Sequence, residues 1–226
     1  MFSIIIPSKN ASNLIPCIQS ILEQDSQVKP EQIIVVDDGA KFNSEHILPK
    51  EIRWIDGTKP FIFSHNVNLG IDAAGTNDCL LVNDDVILKT QNGFTNLARA
   101  GQNYGVTSAV TNSVGNVNQT PKQGGGSIRF EPRTLAFVCV YLPRSIIEAV
   151  GKLDERFGVC YGGEDNDYCR RVVLAGYKLC IYNECFVDHL TLTSTFRGKG
   201  KSLPIGDTNR VFKEKWGVDM TDIPKC

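Results

Sequence analysis

Two pairs of adjacent acidic residues each follow a short apolar, β-branched run, the pattern of a buried strand that ends in a polar turn. Asp37 and Asp38 form the first pair, and Asp84 and Asp85, preceded by Asn83, form the second. Adjacent carboxylates are costly to hold close together unless water reaches them or a cation neutralises them. Mg²⁺ and Mn²⁺ suit such oxygen ligands and complete their coordination with water and substrate phosphates. The second pair is therefore a candidate metal site.

A single acidic pair of this kind is also typical of a solvated turn that ends a strand. The repetition of the pattern favours a binding site, because ligands of α/β sheets bind at the carboxyl ends of the strands. We expect both pairs to meet at one crevice, where one contacts a nucleotide and the other a metal ion.

A third acidic pair, Glu164 and Asp165, follows two glycines and opens a predicted helix. The helix dipole alone would favour carboxylates there by about 0.3 to 1 kcal/mol, which is a sufficient structural explanation. Adjacent helical residues point about 100° apart, so the two carboxylates are expected to have different roles. Asp167 precedes Arg170 and Arg171 by about one turn, and we expect it in a surface ion pair rather than in catalysis.

A histidine and a basic segment follow the last predicted strands. His189 stands just after the strand predicted at 185–187, where a satisfied polar residue and a ligand are both reasonable interpretations. Arg197 opens the segment RGKGK, whose glycines and cations would suit a lid over a diphosphate. A plain solvated basic loop is the alternative.

Composition limits the class of protein. The chain has 226 residues, 42% of them hydrophobic, and a formal net charge of −1, so one full core is possible and no global field attracts nucleic acid or anionic lipid. No apolar run approaches the roughly 20 residues that span a bilayer, and the start MFSIIIP lacks the basic residues of a signal peptide. We expect a cytoplasmic protein.

The eight cysteines show no C-x-x-C pair. Several fall inside predicted strands or helices, and this favours buried, reduced thiols over disulfides. A zinc site formed by Cys180, Cys185 and His189 is the alternative, although these spacings do not match those of usual zinc knuckles.

Apolar periodicity predicts a chain of alternating strands and helices. Strands are expected at 2–6, 33–36, 53–56, 79–82, 106–110, 134–142, 179–182 and 185–187. Helices are expected after an Asn13 cap with Pro16 in the first turn, and at 65–74, 143–150 and 165–175, with loop at 102–126 flanking the strand. The order predicts an α/β fold in which helices cover both faces of a mostly parallel, Rossmann-like sheet, with a more mixed second half.

Five segments together resemble the family 2 glycosyltransferases. They are SIIIPSKN, IIVVDDGA, LLVNDDVIL, YGGEDNDYCRRVVLAGYKL and VDHL, in the order and spacing of that family. The tail RVFKEKWG is similar to the last helix of many bacterial members related to rhamnosyl- and glucosyltransferases. The resemblance implies a GT-A three-layer α/β/α sandwich forming a single domain, 1–226. Its half 1–110 would bind the nucleotide sugar, and 111–226 would bind the acceptor and hold the catalytic residues.

The resemblance also implies a donor site. The positions matching Pro7, Ser8 and Asn10 border the nucleotide in this family, and the one matching Asp38 hydrogen-bonds the base, usually uracil. Asn68 lies in SHNVNLGIDAA, where many relatives have an Arg-Asn pair near the diphosphate. The arginine is missing here, so Arg197 is the expected source of positive charge.

The strand-end triplet of the family implies the metal site. Asn83 and Asp84 would lie near the ribose or the water ligands, and Asp85 would bind Mn²⁺ or Mg²⁺. Relatives have aspartate where this chain has Asn83, a change that should weaken metal binding without abolishing it. His189 matches a histidine that contacts the metal or the diphosphate in relatives.

The acidic helix start of the family implies an inverting transfer. Asp165 would be the base that deprotonates the acceptor hydroxyl, and Glu164 would orient the acceptor or the base. The donor would be a nucleotide sugar, most simply a UDP-sugar. The sequence does not decide whether the acceptor is a glycan, a lipid-linked sugar, a protein or a modified nucleic acid. A nucleic acid would suit the basic residues near the C-terminus, which are Arg197, Lys199, Lys201, Arg210, Lys213 and Lys215.

Two other functions remain as alternatives. A non-catalytic module that binds nucleotide sugar or carbohydrate would keep this fold but would have lost turnover. Asn83 and the missing arginine fit a loss of catalytic activity. A sugar-phosphate nucleotidyltransferase would need a glycine-rich phosphate loop after the first strand, where this chain has IPSKNASN.

Overall fold

The computed structural model describes residues 1–59, 61–112, 116–122, 126–131, 133–159, 162–190 and 205–220. The strands are β1 (Phe2–Ser8), β2 (Ile33–Asp37), β3 (Arg53–Asp56), β4 (Asp78–Val82), β5 (Val86–Leu88), β6 (Val106–Thr111), β7 (Ile128–Glu131), β8 (Cys139–Leu142) and β9 (Leu179–His189). The helices are α1 (Ala11–Gln24), α2 (Phe63–Ala73), α3 (Gly93–Tyr104), α4 (Arg144–Val150), α5 (Glu164–Leu174) and α6 (Ile205–Trp216).

The strands form one sheet in the order β3-β2-β1-β4-β8-β6-β9-β5, with β7 also paired to β9. The first four strands pair in parallel, whereas β8 is antiparallel to both β4 and β6. The chain runs outward from β1 to β3 and then returns to place β4 on the other side of β1. Such a reversal is a topological switch point, where α/β sheets open a crevice at the carboxyl ends of the strands.

Helices cover both faces of the sheet. Successive strand residues point to opposite faces, so Ile4 and Ile6 lie in one apolar core and Ile5 in the other. Helices α1 and α3 pack in the first core, and α2, α4 and α5 in the second. The three-layer α/β prediction is confirmed, and the parallel pairing is concentrated in the first half of the chain.

Helix α1 begins earlier than the sequence analysis predicted. Asn10, not Asn13, is the N-cap, and its side-chain oxygen accepts a hydrogen bond of 3.0 Å from the Ser12 backbone N–H. Asn13 is buried within the helix, and Pro16 lies in the helix interior. Lys9 is therefore the only residue between β1 and the N-cap, so α1 begins almost immediately after the carboxyl end of β1.

The second half differs from the prediction in several elements. Of the strand expected at 134–142, only Cys139–Leu142 pairs in the sheet. The strands expected at 179–182 and 185–187 are one strand, β9, which pairs with β6 and β7 first and with β5 at its end. Helix α3 and strands β5 and β7 were not predicted.

Six cysteines in the described part of the chain are buried free thiols, as expected: Cys17, Cys79, Cys139, Cys169, Cys180 and Cys185. Cys160 and Cys226 lie outside it. Over the same residues, no group of three or more His, Cys, Asp or Glu side chains is placed to hold a metal ion, so the zinc alternative has no support. None of the described helices has the length and apolar character needed to cross a membrane.

Candidate active site

The carboxyl ends of β1, β2 and β4 meet at the switch point, as the acidic strand ends predicted. Ser8, the last residue of β1, donates its hydroxyl hydrogen to Asp84 Oδ2 at 2.6 Å. On the other side, the backbone N–H of Asp38 donates to the carbonyl oxygen of Ser8 at 2.8 Å. Ser8 therefore joins the two acidic clusters at one edge of the sheet.

The first acidic pair divides into a structural and an available carboxylate. Asp37 Oδ1 accepts hydrogen bonds from the backbone N–H groups of Gly39, Ala40 and Lys41 at 2.6 to 3.0 Å, which fixes the turn after β2. Asp38 Oδ1 is buried and has no hydrogen-bond partner. Burial raises the pKa of Asp38 against the nearby lysine charges. A buried acceptor without a partner is costly, so this oxygen is available to a ligand that donates a hydrogen bond.

The second acidic pair concentrates negative charge in a partly buried position. Burial raises the pKa of Asp84 to about 6, and the charge of Asp85 acts in the same direction, whereas hydrogen bonds from Ser8 and Asn13 oppose the shift. A divalent cation at this position would relieve the repulsion between the two carboxylates.

His189 lies next to Asp85 because β5 and β9 pair antiparallel, with Val86 opposite His189. His189 Nε2 is 3.2 Å from Asp85 Oδ1, and the two side chains are only 15% and 7% exposed. The backbone also links them, since the Leu190 N–H donates to the Asp85 carbonyl oxygen at 2.9 Å. A carboxylate oxygen and an imidazole nitrogen this close fit a Mg²⁺ or Mn²⁺ ion that takes its other ligands from water and phosphate.

Glu164 and Asp165 form the first turn of α5, after Gly163 in the left-handed conformation at φ 97°. Burial raises the pKa of Asp165, and hydrogen-bonding backbone groups, among them those of Asn166 and Phe137, act in the opposite direction. Burial and the charge of Asp165 raise the pKa of Glu164, whose Oε2 is buried without a hydrogen-bond partner.

A short segment before β8 connects this helix start to the strand-end triplet. The Val138 carbonyl oxygen accepts the backbone N–H of Asn83 at 3.0 Å. Phe137, the preceding residue, interacts through its backbone with Asp165. The structure thus places the acidic start of α5 beside the end of β4, although the two are distant in sequence.

Other predicted donor-site residues are occupied in structural roles. Pro7 is paired within β1 opposite Val36, and Asn10 uses its side-chain oxygen to cap α1. Asn68 is buried. Its Nδ2 donates to the Leu153 carbonyl oxygen at 2.9 Å and to Glu155 Oε1 at 2.8 Å, and its Oδ1 accepts the Leu153 backbone N–H at 3.0 Å. Arg197 and the segment 197–201 lie outside the described residues.

The prediction of a surface ion pair for Asp167 was wrong. Its side chain is fully buried and contacts three donors: Arg171 Nε at 2.9 Å, Lys215 Nζ at 2.6 Å and Trp216 Nε1 at 2.9 Å. The spacing of four residues between Asp167 and Arg171 correctly indicated their ion pair. The Asp167 side chain is buried because α6 packs over it. Trp216 packs on Phe212 of the same helix, and its Nε1–H donates to Asp167 of α5, which anchors the last helix.

Sequence reasoning missed Asn13, whose side chain hydrogen-bonds the Asp84 carboxylate. A polar residue on the buried face of α1, three positions after its cap, is the signal that would have indicated it. It also missed Val138, whose contribution is a carbonyl oxygen and has no sequence signal.

A parallel sheet with a switch point, acidic side chains at its carboxyl edge and a mixed second half define an α/β fold of the GT-A type. The family described as "Glycosyl transferase family 2" matches residues 3–137, which is more than half of the chain. The chain belongs to this family.

Solved structures show the same fold. The crystal structure of GalNAc-T7 with UDP, GalNAc and Mn²⁺ superposes with a TM-score of 0.67 at 13% identity, over 84% of this chain and 43% of that one. The chain thus spans less than half the length of that protein. A UDP-glucose pyrophosphorylase from Acinetobacter baumanii superposes with a TM-score of 0.57 at 11% identity, over 84% and 88% of the two chains. No curated protein sequence matches the chain.

Proposed function

We propose that this protein is a metal-dependent, inverting glycosyltransferase that transfers a sugar from a UDP-sugar to a hydroxyl group of an acceptor. One observation carries the proposal: Asn83, which precedes Asp84 and Asp85 after β4, and Asp165, in the first turn of α5, both hydrogen-bond the backbone of the segment 137–138. The proposed donor site and the proposed base would thereby lie at the same edge of the sheet.

The donor nucleotide would lie along the carboxyl ends of β1 and β2. The buried, unpartnered Oδ1 of Asp38 would accept an N–H group of the base, which suits the N3–H of uracil. Asn83 and Asp84 would contact the ribose or the water ligands of the ion, with Pro7 and Asn10 at the border of the site. GalNAc-T7 was solved with UDP and Mn²⁺, which supports this choice of nucleotide.

The diphosphate needs positive charge near Asp85. Asp85 and His189 would hold Mn²⁺ or Mg²⁺, since their oxygen and nitrogen lie 3.2 Å apart in a nearly buried position. When bound, the ion would neutralise the charge of the departing diphosphate. Arg197 stays a predicted additional source of charge.

Asp165 would take the proton of the acceptor hydroxyl. The acceptor oxygen would attack the anomeric carbon as the bond from that carbon to the diphosphate oxygen breaks, and the configuration would invert. Burial raises the pKa of Asp165, which makes its carboxylate a stronger base than an exposed aspartate. The unpartnered Oε2 of Glu164 would accept a second hydroxyl of the acceptor and so orient it.

Two alternative functions remain testable. A binding module without turnover would use the same donor contacts. The nucleotidyltransferase alternative has only the shared fold in its favour, because β1 is followed by Lys9 and then the α1 cap rather than by a glycine-rich phosphate loop.

The test is release of nucleoside diphosphate from a panel of UDP-, GDP- and dTDP-sugars, with Mn²⁺ or with EDTA. Slow hydrolysis of a UDP-sugar is expected only with Mn²⁺ and only when Asp85 is intact, so Asp85→Ala should abolish it. Asp72→Ala is the control, since Asp72 forms an exposed ion pair with Lys152 on the outer side of α2. If no sugar is hydrolysed but UDP binds by calorimetry, the binding module is favoured, and absence of UDP binding contradicts the donor site.

A further inference from the structure

Helix α6 is joined to α5 by a buried ionic network around Asp167. The fully buried carboxylate accepts from Arg171 of its own helix with Oδ2, and contacts Lys215 and Trp216 of α6 with Oδ1. A buried charge is tolerated only when it is paired and hydrogen-bonded, and here two elements must stay in place to achieve that.

The network extends to the chain between α4 and α5. Lys215 Nζ also lies 2.7 Å from Asp154 Oδ2, and Arg171 Nη2 donates to the Lys152 carbonyl oxygen at 2.9 Å. Arg170 stacks its guanidinium over the Trp216 ring, with Cζ 4.7 Å from the ring centroid. Charged groups of α5, α6 and the loop at 152–154 therefore form one connected unit.

Apolar contacts bring α6 onto the residue that directly precedes the acidic pair. Phe157, Val211 and Phe212 form a separate small core beneath α6. A Cβ atom added to Gly163 would lie 2.5 Å from Thr208 Cγ2, which shows how tightly α6 packs against the start of α5. The direction of the first turn of α5 thus depends on α6.

Asp165 and Asp167 belong to the same helical turn, so a rotation of this turn moves both side chains. We propose that Asp167 is a positioning residue that, with Lys215 and Trp216, locks α6 onto the first turn of α5 and so sets the direction of the Glu164 and Asp165 side chains. The expected effect on catalysis rests on the proposed function, whereas the expected effect on the order of the first turn of α5 does not.

The test compares Asp167→Asn and Lys215→Met with Glu214→Gln. The first two should leave the fold intact, because Lys215 keeps Asp154 as a partner and Asp167 keeps Arg171. Glu214 pairs with Arg210 on the exposed side of the same helix and is the matched control. Hydrogen exchange of the peptide 162–170 and the steady-state kinetics of UDP release from the UDP-sugar in Mn²⁺ are measured for each variant.

Both network variants should exchange faster in the peptide 162–170, by about tenfold or more, without loss of cooperative unfolding. Their kcat should fall by about 10²-fold, the effect of a small misplacement of a catalytic group, while KM for the donor stays within about twofold. The double variant should lose no more than either single one, because the contact is already broken. Glu214→Gln should match the wild type.

The inference is overturned if stable Asp167→Asn and Lys215→Met proteins keep wild-type exchange in this peptide. It is equally overturned if both variants lose cooperative unfolding, since the network would then support the whole fold rather than orient one turn. A wild type that binds UDP without turnover would contradict the proposed function alone, and the exchange comparison would still decide the role of Asp167.

Discussion

At the scale of single residues, Asp84 combines two demands that oppose each other. Its carboxylate is held by Ser8 and Asn13 at the switch point, yet burial and Asp85 raise its pKa to about 6. A group kept in this state lowers stability unless a bound ligand compensates its charge, as the proposed metal ion would.

Asp84→Asn is therefore expected to stabilise the metal-free protein. The folded-state pKa of Asp84 lies above its ordinary value of 3.8, so its contribution to stability is lost as pH rises from about 4 through about 6. The variant should raise the free energy of unfolding by roughly 1 to 3 kcal/mol at pH 7, with no difference near pH 4. Urea unfolding in EDTA between pH 4 and pH 8 measures this.

The exposed Asp72→Asn variant is the control for the removal of one negative charge. A wild type and an Asp84→Asn variant of equal stability at pH 7 would show that water or a neighbouring group already compensates this carboxylate.

The residues at strand ends could be predicted from sequence, and those under α6 could not. Asp38, Asp84 and Asp85 follow apolar runs, and parallel strands bring their carboxyl ends to one edge. The partners of Asp167 include Lys215 and Trp216, more than 40 residues later in the chain. No local spacing carries that information, so the sequence indicated a surface position for a buried charge.

At the scale of elements, the start of α5 depends on a glycine. Gly163 has φ 97°, and an added Cβ would lie 2.5 Å from Thr208 Cγ2 and 3.0 Å from Phe157 Cδ1. Both the backbone conformation and the lack of a side chain are required here, because α6 would otherwise be pushed away from α5.

Gly163→Ala should lower the free energy of unfolding by roughly 2 to 4 kcal/mol, through backbone strain together with overpacking. Gly176→Ala, after the end of α5, separates the two causes: its φ is 83°, but an added Cβ meets nothing within 4 Å. The free energy of unfolding of this control should fall by only about 1 to 2 kcal/mol, the cost of the left-handed backbone conformation alone. Equal losses in urea unfolding would mean that the contact with Thr208 relaxes without cost.

Element boundaries were predicted best where local signals are strong. The strand at 53–56 was placed correctly, and the helix expected at 165–175 is α5, which begins and ends one residue earlier. Helix α3 was missed because its N-cap, Asn92, adopts the left-handed conformation at φ 52° without a side-chain cap, and Gly93 follows. The segment 134–138 has a strand-like sequence. However, the Ala136 backbone N–H and carbonyl oxygen hydrogen-bond the Gln119 side chain, so they do not pair with a neighbouring strand.

At the scale of the whole molecule, the first half of the sheet follows from the order of strands, and the second half does not. Parallel β-α-β units connect neighbours in sequence, so β1 to β4 could be placed by general rules. Strands β8 and β9 join segments distant in sequence and change partner direction within the sheet. The candidate site lies where the two halves meet, since Asp38 and Asp84 belong to the first half and Asp165 and His189 to the second, so both are needed to complete it.

Ligand binding at that junction should stabilise the whole molecule. UDP with Mn²⁺, at about 100 times the dissociation constant, should add about 2.7 kcal/mol to the free energy of unfolding. For a chain of 226 residues this raises Tm by about 5 to 10 °C, measured by thermal unfolding. Because Asp85 and His189 would hold the ion between the nucleotide and the protein, UDP in EDTA should raise Tm much less.

Asp85→Ala should lose the part of this shift that depends on Mn²⁺ and keep the part that UDP gives in EDTA, because Asp38 would still contact the base as proposed. GDP with Mn²⁺ tests the base contact in the same way and should give a smaller shift than UDP. A UDP shift of equal size with Mn²⁺ and with EDTA would mean that the nucleotide binds without the ion. Asp85 and His189 would then be a structural pair that connects β5 to β9.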